Sequence, residues 1–169
     1  MWVLLKPHFD KLVSNFVFPH LSFNESRRVL WESDPIDYVR VSAGTVVFPS
    51  KIAAYINYTD QLTDEYQSFT TPVAAATTFL LALATNRTKT TFLPILGFIN
   101  SVIREQGPPE QRFGALNMTA ALGKHIMLHP EASKNAERFL LQFVSPELES
   151  PHAYLRSIVS HLLASFRVV

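Results

Sequence analysis

Phe92-Leu93-Pro94-Ile95-Leu96-Gly97-Phe98-Ile99-Asn100-Ser101-Val102-Ile103 decides the fold class. Phe92, Ile95, Leu96, Ile99, Val102 and Ile103 recur at the three-and-four spacing that gathers apolar side chains on one face of an α-helix, and Gly107-Pro108-Pro109 ends the run. Pro94 falls in the first turns of this helix or bends it. The same period continues on the C-terminal side. A helix from Glu110 to about Ile126 places Phe113, Leu116 and Ala120 on one face, and another from Glu131 to about Val144 carries Phe139, Leu140 and Phe143. Ser145-Pro146 is expected to interrupt the latter. A last helix opens at Ser150-Pro151 and presents Leu155, Ile158, Val159, Leu162, Leu163 and Phe166.

Toward the N-terminus, Leu5, Phe9, Leu12, Val13 and Phe16 predict a first helix that Pro19 stops. Ser26 to Trp31 is a short helix or a turn. Asp34 then suits the position before a helix start, where a carboxylate accepts hydrogen bonds from unpaired amides; Pro35 suits the first helical position, and Asp37 adds a second negative charge near the positive end of the dipole. The brief helix so opened runs through Arg40. Thr71-Pro72 repeats the opening for an Ala- and Leu-rich helix from Pro72 to Thr85, closed by Asn86-Arg87-Thr88. The chain is therefore read as all-α. Periodicity alone allows a closed bundle or an open solenoid, and the wide apolar stripes on both the first and last helices favour the solenoid, whose free ends need polar caps. Both ends read as cut.

At 169 residues and 47% hydrophobic, the chain can build a packed core. Fifteen Lys+Arg against fourteen Asp+Glu leave a net charge of +1, so no field selects nucleic acid or an anionic membrane. With no Cys, disulfides, thiolate zinc sites and cysteine nucleophiles are excluded. Met1 to Pro7 is too short an apolar run, without a basic leader, for a signal peptide. Val73 to Ala84 is far shorter than the roughly 20 residues that span a bilayer. Sequons at Asn24, Asn57, Asn86 and Asn117 are read as chance.

Chemistry is sparse. His125 and His129 stand four apart, a spacing that can put two imidazoles on one helical face as metal ligands, but no acid lies between them, no third ligand is indicated, and Pro130 ends the helix. His8, His20, His152 and His161 are scattered. No phosphate-binding glycine loop or nucleophile elbow occurs. Asp34 and Asp37 fit helix initiation better than an acid/base pair, and Glu147, Glu149 and Asp10 have no identifiable partners in the sequence. Arg27-Arg28, and Lys124 with Lys134 or Arg138, are candidate basic patches whose ordinary role is to keep a helix face solvated. Phe9, Phe16, Phe143 and Phe166 fall in phase with aliphatic neighbours and are assigned to the core; Phe18, Phe23 and Phe69 lie near helix ends and are left open. No catalytic, cofactor-binding or metal residue is assigned, and no enzyme activity is expected.

Trp31-Glu32-Ser33-Asp34-Pro35-Ile36-Asp37-Tyr38-Val39-Arg40, followed by Asp64-Glu65-Tyr66-Gln67-Ser68-Phe69-Thr70-Thr71-Pro72-Val73-Ala74-Ala75-Ala76, carries more than capping. The pair resembles a tract of the importin-β family of nuclear transport receptors, in the branch of importins seven and eight. Leu4-Leu5-Lys6-Pro7-His8, Phe18-Pro19 and Gly114-Ala115-Leu116 extend the resemblance. It implies a HEAT-repeat superhelix of which this chain is an interior piece. It also implies a carrier that binds cargo proteins directly, contacts Phe-Gly nucleoporins and releases cargo when Ran-GTP engages it, the Ran contact lying in repeats missing from this chain. The implied location is nucleus and cytoplasm, with transit through the pore, and no cofactor, membrane insertion or direct nucleic-acid binding. A free-standing helical-repeat scaffold without Ran dependence is the alternative.

Residues 43–63 fit poorly. The family pattern passes almost directly from the Tyr-Val-Arg helix to the Asp-Glu-Tyr segment, whereas this chain interposes a stretch in which Thr45-Val46-Val47-Phe48 and Ile52-Ala53-Ala54-Tyr55-Ile56 lean toward β or mixed propensity. It reads as an insertion or a translated intron. A solenoid segment taken from its neighbours exposes apolar stripes, so the isolated chain is expected to be marginal, sticky or oligomeric.

Overall fold

A computed structural model of the chain describes residues 2–36, 38 and 72–166. Residues 43–63, Asp37, Asn57, Phe69 and the Asp64 to Thr71 tract lie outside them. Among the described residues every regular element is helical. An N-terminal rod passes through α1 (Trp2–Leu5), a 3-10 turn (Lys6–His8), α2 (Phe9–Leu12), a π turn (Val13–Val17) and α3 (Phe18–Leu21). It is followed by α4 (Glu25–Ser33), α5 (Pro72–Asn86), α6 (Thr88–Arg104), α7 (Pro109–Leu128) and α8 (Pro130–Phe139). From α8 the backbone continues through a π turn (Leu140–Val144) and a 3-10 turn (Ser145–Glu149) before α9 (Ala153–Phe166).

Contacts follow a stacked order. α5 meets α6, α6 meets α7 and α7 meets α8, while α5 with α7 and α7 with α9 pack as next-but-one neighbours. Successive partners across a pair, and alternate partners along a layer, are the pattern of a HEAT/ARM-type solenoid. The all-α stack read from the sequence is therefore the fold.

One proline did not act as the sequence suggested. Pro19 does not stop the first helix, whereas at Ser145-Pro146 the α8 rod gives way to a 3-10 turn as expected; in each case a π turn lies immediately upstream. Proline lacks an N–H and its ring crowds the carbonyl four residues back, so a wider turn just before it lets the rod continue. The extra residue in that turn rotates the face presented to the core. Val13, Val17 and Leu21 become the buried series, and Phe16, expected in the core, is 38% exposed at its edge. Phe9, Phe143 and Phe166 pack half-buried against the core as expected. Phe23 is buried, and Phe18 packs edge-on against Phe98 with ring centroids 5.2 Å apart.

α6 begins at Thr88, earlier than its apolar stripe, because only Arg87 separates it from α5 and threonine hydroxyls knit the junction. Thr88 Oγ1 donates to the Ala84 carbonyl at 2.8 Å, and Thr91 Oγ1 donates to the Leu83 carbonyl at 2.6 Å. Both carbonyls lie in the last turn of α5, and that of Leu83 also accepts from the Arg87 amide at 3.3 Å. Pro94 lies inside α6 on its exposed side, where its ring faces solvent. α9 starts at Ala153 instead of Ser150, since Ser150 Oγ accepts from the His152 amide and the Arg156 guanidinium donates to the Ser150 carbonyl at 2.7 Å.

α7 is the innermost element. Every residue from Phe113 to Ala120 is buried, and the helix touches α3, α5, α6, α8 and α9. Small residues make this crowding feasible. A Cβ on Gly114 would sit 2.4 Å from Ser22 Oγ and 3.0 Å from Ser22 Cα in the N-terminal rod, and one on Gly123 would sit 2.7 Å from Ser165 Oγ in α9. Asn117 is the buried polar member. Its Nδ2 donates to the Leu21 carbonyl at 3.1 Å, satisfying an acceptor at the end of α3 across 96 residues of sequence.

Gly114→Ala should lower the unfolding free energy by about 1–3 kcal/mol, because Ser22 Cα is backbone and cannot swing aside. Asn117→Leu should cost about 1–3 kcal/mol by stranding the Leu21 carbonyl. Urea unfolding followed by far-UV circular dichroism checks both. Unchanged midpoints would mean that α3 and α7 are not in close contact.

Candidate functional site

The motif at Trp31 to Arg40 resolves into an anchoring function. Asp34 ends α4, and its carboxylate accepts from the Ile36 amide at 3.0 Å while its carbonyl accepts from the Tyr38 amide at 2.9 Å. This turn delivers Tyr38, which is buried, into an aromatic knot. Trp31 meets Tyr38 edge-on at 5.1 Å, Phe23 lies 6.2 Å from Tyr38 and 5.4 Å from Phe113, and Phe23 stacks face to face on Tyr154 at 3.8 Å. Such pairs stabilise beyond the area they bury.

Of Arg27 and Arg28, read as a candidate basic patch, Arg27 is tied inward and Arg28 is ion-paired at the surface. Arg27 stands 5.3 Å over the Phe113 ring and donates from Nη1 to Tyr38 Oη at 3.4 Å. Arg28 bridges Glu25 at 3.4 Å and Glu110 at 3.7 Å. Beside them the Phe23 amide donates to the Glu110 carbonyl at 3.2 Å. Glu147, for which the sequence offered no partner, is half-buried and paired with Arg112 on α7. Burial, then the Glu110 carboxylate, raise the Tyr154 phenol above its ordinary pKa of 10.0, against smaller opposing effects of Arg28 and Arg112. It stays a neutral, stacking ring.

The histidine pair also separates into two roles. His129 is the cap of α8: its Nδ1 accepts from the Glu131 amide at 3.3 Å and the Ala132 amide at 3.4 Å, and its ring lies 4.9 Å from Phe92. His125 is half-buried on α7. Among the described residues no group of three His, Cys, Asp or Glu side chains converges as a metal site. Asn24 caps α4, its Oδ1 accepting from the Arg27 amide at 3.1 Å, and Asn117 is buried with its Nδ2 bonded to the Leu21 carbonyl, so the latter is closed to a glycan.

Surface features are shallow. A broad depression is lined by Lys134, Glu137, Arg138, Leu141 and Gln142, all of them exposed, on α8 and the π turn after it. Phe139 and Phe143 lie close by with centroids 5.8 Å apart, and Arg104 stands 5.9 Å from the Phe143 ring centroid. Lys134 is within 4.0 Å of Glu131. Such a surface can bind a protein face; a small-molecule site is ordinarily deeper and mostly apolar. No helix of the described residues is long and apolar enough to cross a membrane.

Comparison with known proteins agrees with the motif. The chain is 27% identical over 164 residues to an importin beta-like SAD2 homolog of Arabidopsis thaliana, covering 93% of this chain. It is 25% identical over 166 residues to importin-8 of Danio rerio and 23% identical over 166 residues to importin-8 of Homo sapiens, each covering 98% of the chain. The chain spans 14% of the length of these relatives. The likeness to the importin-β family, in its importin seven and eight branch, thus runs along nearly the whole chain. No family profile matches it, and no solved structure does.

Burial, and then the Lys124 charge, lower the His125 pKa from 6.5, and burial alone lowers that of His161. The unfolded chain binds these two protons more readily than the fold does, so their contribution is intact above pH 6.5 and is lost as pH falls below it. The urea midpoint should therefore fall between about pH 7.5 and about pH 5.5. A His125→Gln, His161→Gln double variant should show a shallower fall; an identical pH profile would acquit these imidazoles.

Proposed function

We propose that the chain is a segment of an importin-β-like nuclear transport receptor that binds cargo and is regulated by Ran-GTP in protein import into the nucleus. The observation that carries this reading is the Asp34-Pro35-Ile36 turn that delivers Tyr38 to the aromatic knot, within a chain that matches importins along nearly its whole length. Function would arise from surfaces and flexion of stacked helices, without covalent chemistry. Ran would be engaged by repeats outside this chain. Cargo proteins and Phe-Gly nucleoporins would be met along the complete solenoid, in transit between cytoplasm and nucleus. Residues 43–63, on this reading, are an insertion or a translated intron between two repeats.

The test is pull-down of the full-length gene product with Ran loaded with GTP or GDP. The transport reading predicts retention on Ran-GTP at least about tenfold above Ran-GDP, equivalent to about 1.4 kcal/mol. Equal retention would remove Ran regulation and leave a scaffold. Sequencing the mature transcript decides the interposed stretch: codons for Val46 to Tyr58 in the message would end the intron reading.

A further inference from the structure

Three Ser/Thr-Pro dipeptides occur in the chain, at Thr71-Pro72, Ser145-Pro146 and Ser150-Pro151. Thr71 lies outside the described residues. Ser145 and Ser150 bracket the strap that leads into α9, where a 3-10 turn (Ser145–Glu149) replaces α-helix. Hydrogen bonds in such a turn are poorly aligned, so it opens more readily than the α-helices around it. The fold treats the two serines differently. Ser150 is buried and held at three atoms: its amide donates to the Glu147 carbonyl at 3.2 Å, its Oγ accepts from the His152 amide at 3.4 Å, and its carbonyl accepts from the Arg156 guanidinium at 2.7 Å. Ser145 is half-buried, and its hydroxyl makes no hydrogen bond among the described residues. Residues three apart eclipse in a 3-10 turn, so Ser145 shares its side of the turn with Leu148, which is 41% exposed, while Glu147 turns in to pair with Arg112. Pro146 is exposed beside it.

We propose that Ser145 is a phosphate-acceptor site for a proline-directed Ser/Thr protein kinase, and that the fold closes the neighbouring Ser150 to the same enzyme. ATP is the co-substrate. A bond forms between Ser145 Oγ and the γ-phosphorus, the bond from that phosphorus to the β–γ bridging oxygen breaks to release ADP, and the hydroxyl proton passes to the kinase's catalytic aspartate. The product carries about −1.5 to −2 charge at pH 7 on the outward side of the turn, two residues from Glu147 and its pair with Arg112. The assignment goes beyond the transport reading and does not depend on it, since it rests on hydroxyl access within this strap.

The test incubates the folded 169-residue chain with an active mitogen-activated protein kinase and magnesium ATP, and follows occupancy of Ser145 and Ser150 separately by fragment-ion mass spectrometry. Ser145 should be modified at least about tenfold faster than Ser150, whose hydroxyl reacts only through local opening. A synthetic peptide of residues 140–156 carries both dipeptides without the fold and should lose that preference. Pro146→Ala, at an exposed ring, should slow modification of Ser145 by at least about tenfold. Equal rates at the two serines in the folded chain, no modification of Ser145, or an unchanged rate in Pro146→Ala would each overturn the assignment. A peptide that keeps the full preference would overturn the part given to the fold, because flanking sequence would then select Ser145 by itself.

Discussion

The close approach of α7 to its neighbours on several sides is the constraint on which the structure depends. A helix so enclosed cannot present an amphipathic face, and its middle section is buried all round. It must instead be thin where other helices cross it and must pair any polar group it carries. Gly114 thins the crossing with the N-terminal rod, Gly123 thins the crossing with α9, and Asn117 turns its polar group into a bond that closes α3. The N-terminal rod, α5, α6, α8 and α9 are positioned by reference to this one rod.

The aromatic knot works on a second edge of the same helix. Phe113 of α7 receives Phe23 from the end of the first rod and Arg27 from α4, and Phe23 in turn stacks on Tyr154 of α9. Tyr38 reaches Phe23 by way of the Asp34 turn, so a short tract recognisable in sequence holds together parts of the chain that are far apart along it. Within that tract the Asp fixes the turn, the Pro starts the next helical segment and the Tyr supplies the ring. The knot is architecture: it ties α4, α7 and α9 to the end of the first rod.

Much of this was legible in the sequence. α6, α8 and α9 announce themselves by apolar period, α5 and α7 by composition and by their Pro and Gly punctuation, and the family resemblance named the stack. The exact phase of the first rod was not legible. A π turn is a backbone response to a proline further along, so a constant three-and-four spacing assigned Phe16 inward and missed Val17. Phe23 escaped for another reason: it sits between helices, where periodicity is silent, and its partner Tyr154 is remote in sequence. His129 stands at a helical spacing from His125, but the sequence could not show its role: the helix ends there, and the ring caps the next one.

Native-state hydrogen exchange addresses the central claim most directly. If α7 is the rod against which the stack is built, the amides from Ala115 to Leu122 exchange only through global unfolding, with the same denaturant dependence as the unfolding transition, while α4 and α8 open at lower free energy. Exchange of the Ala115 to Leu122 amides ahead of those in α5 and α9 would contradict the account.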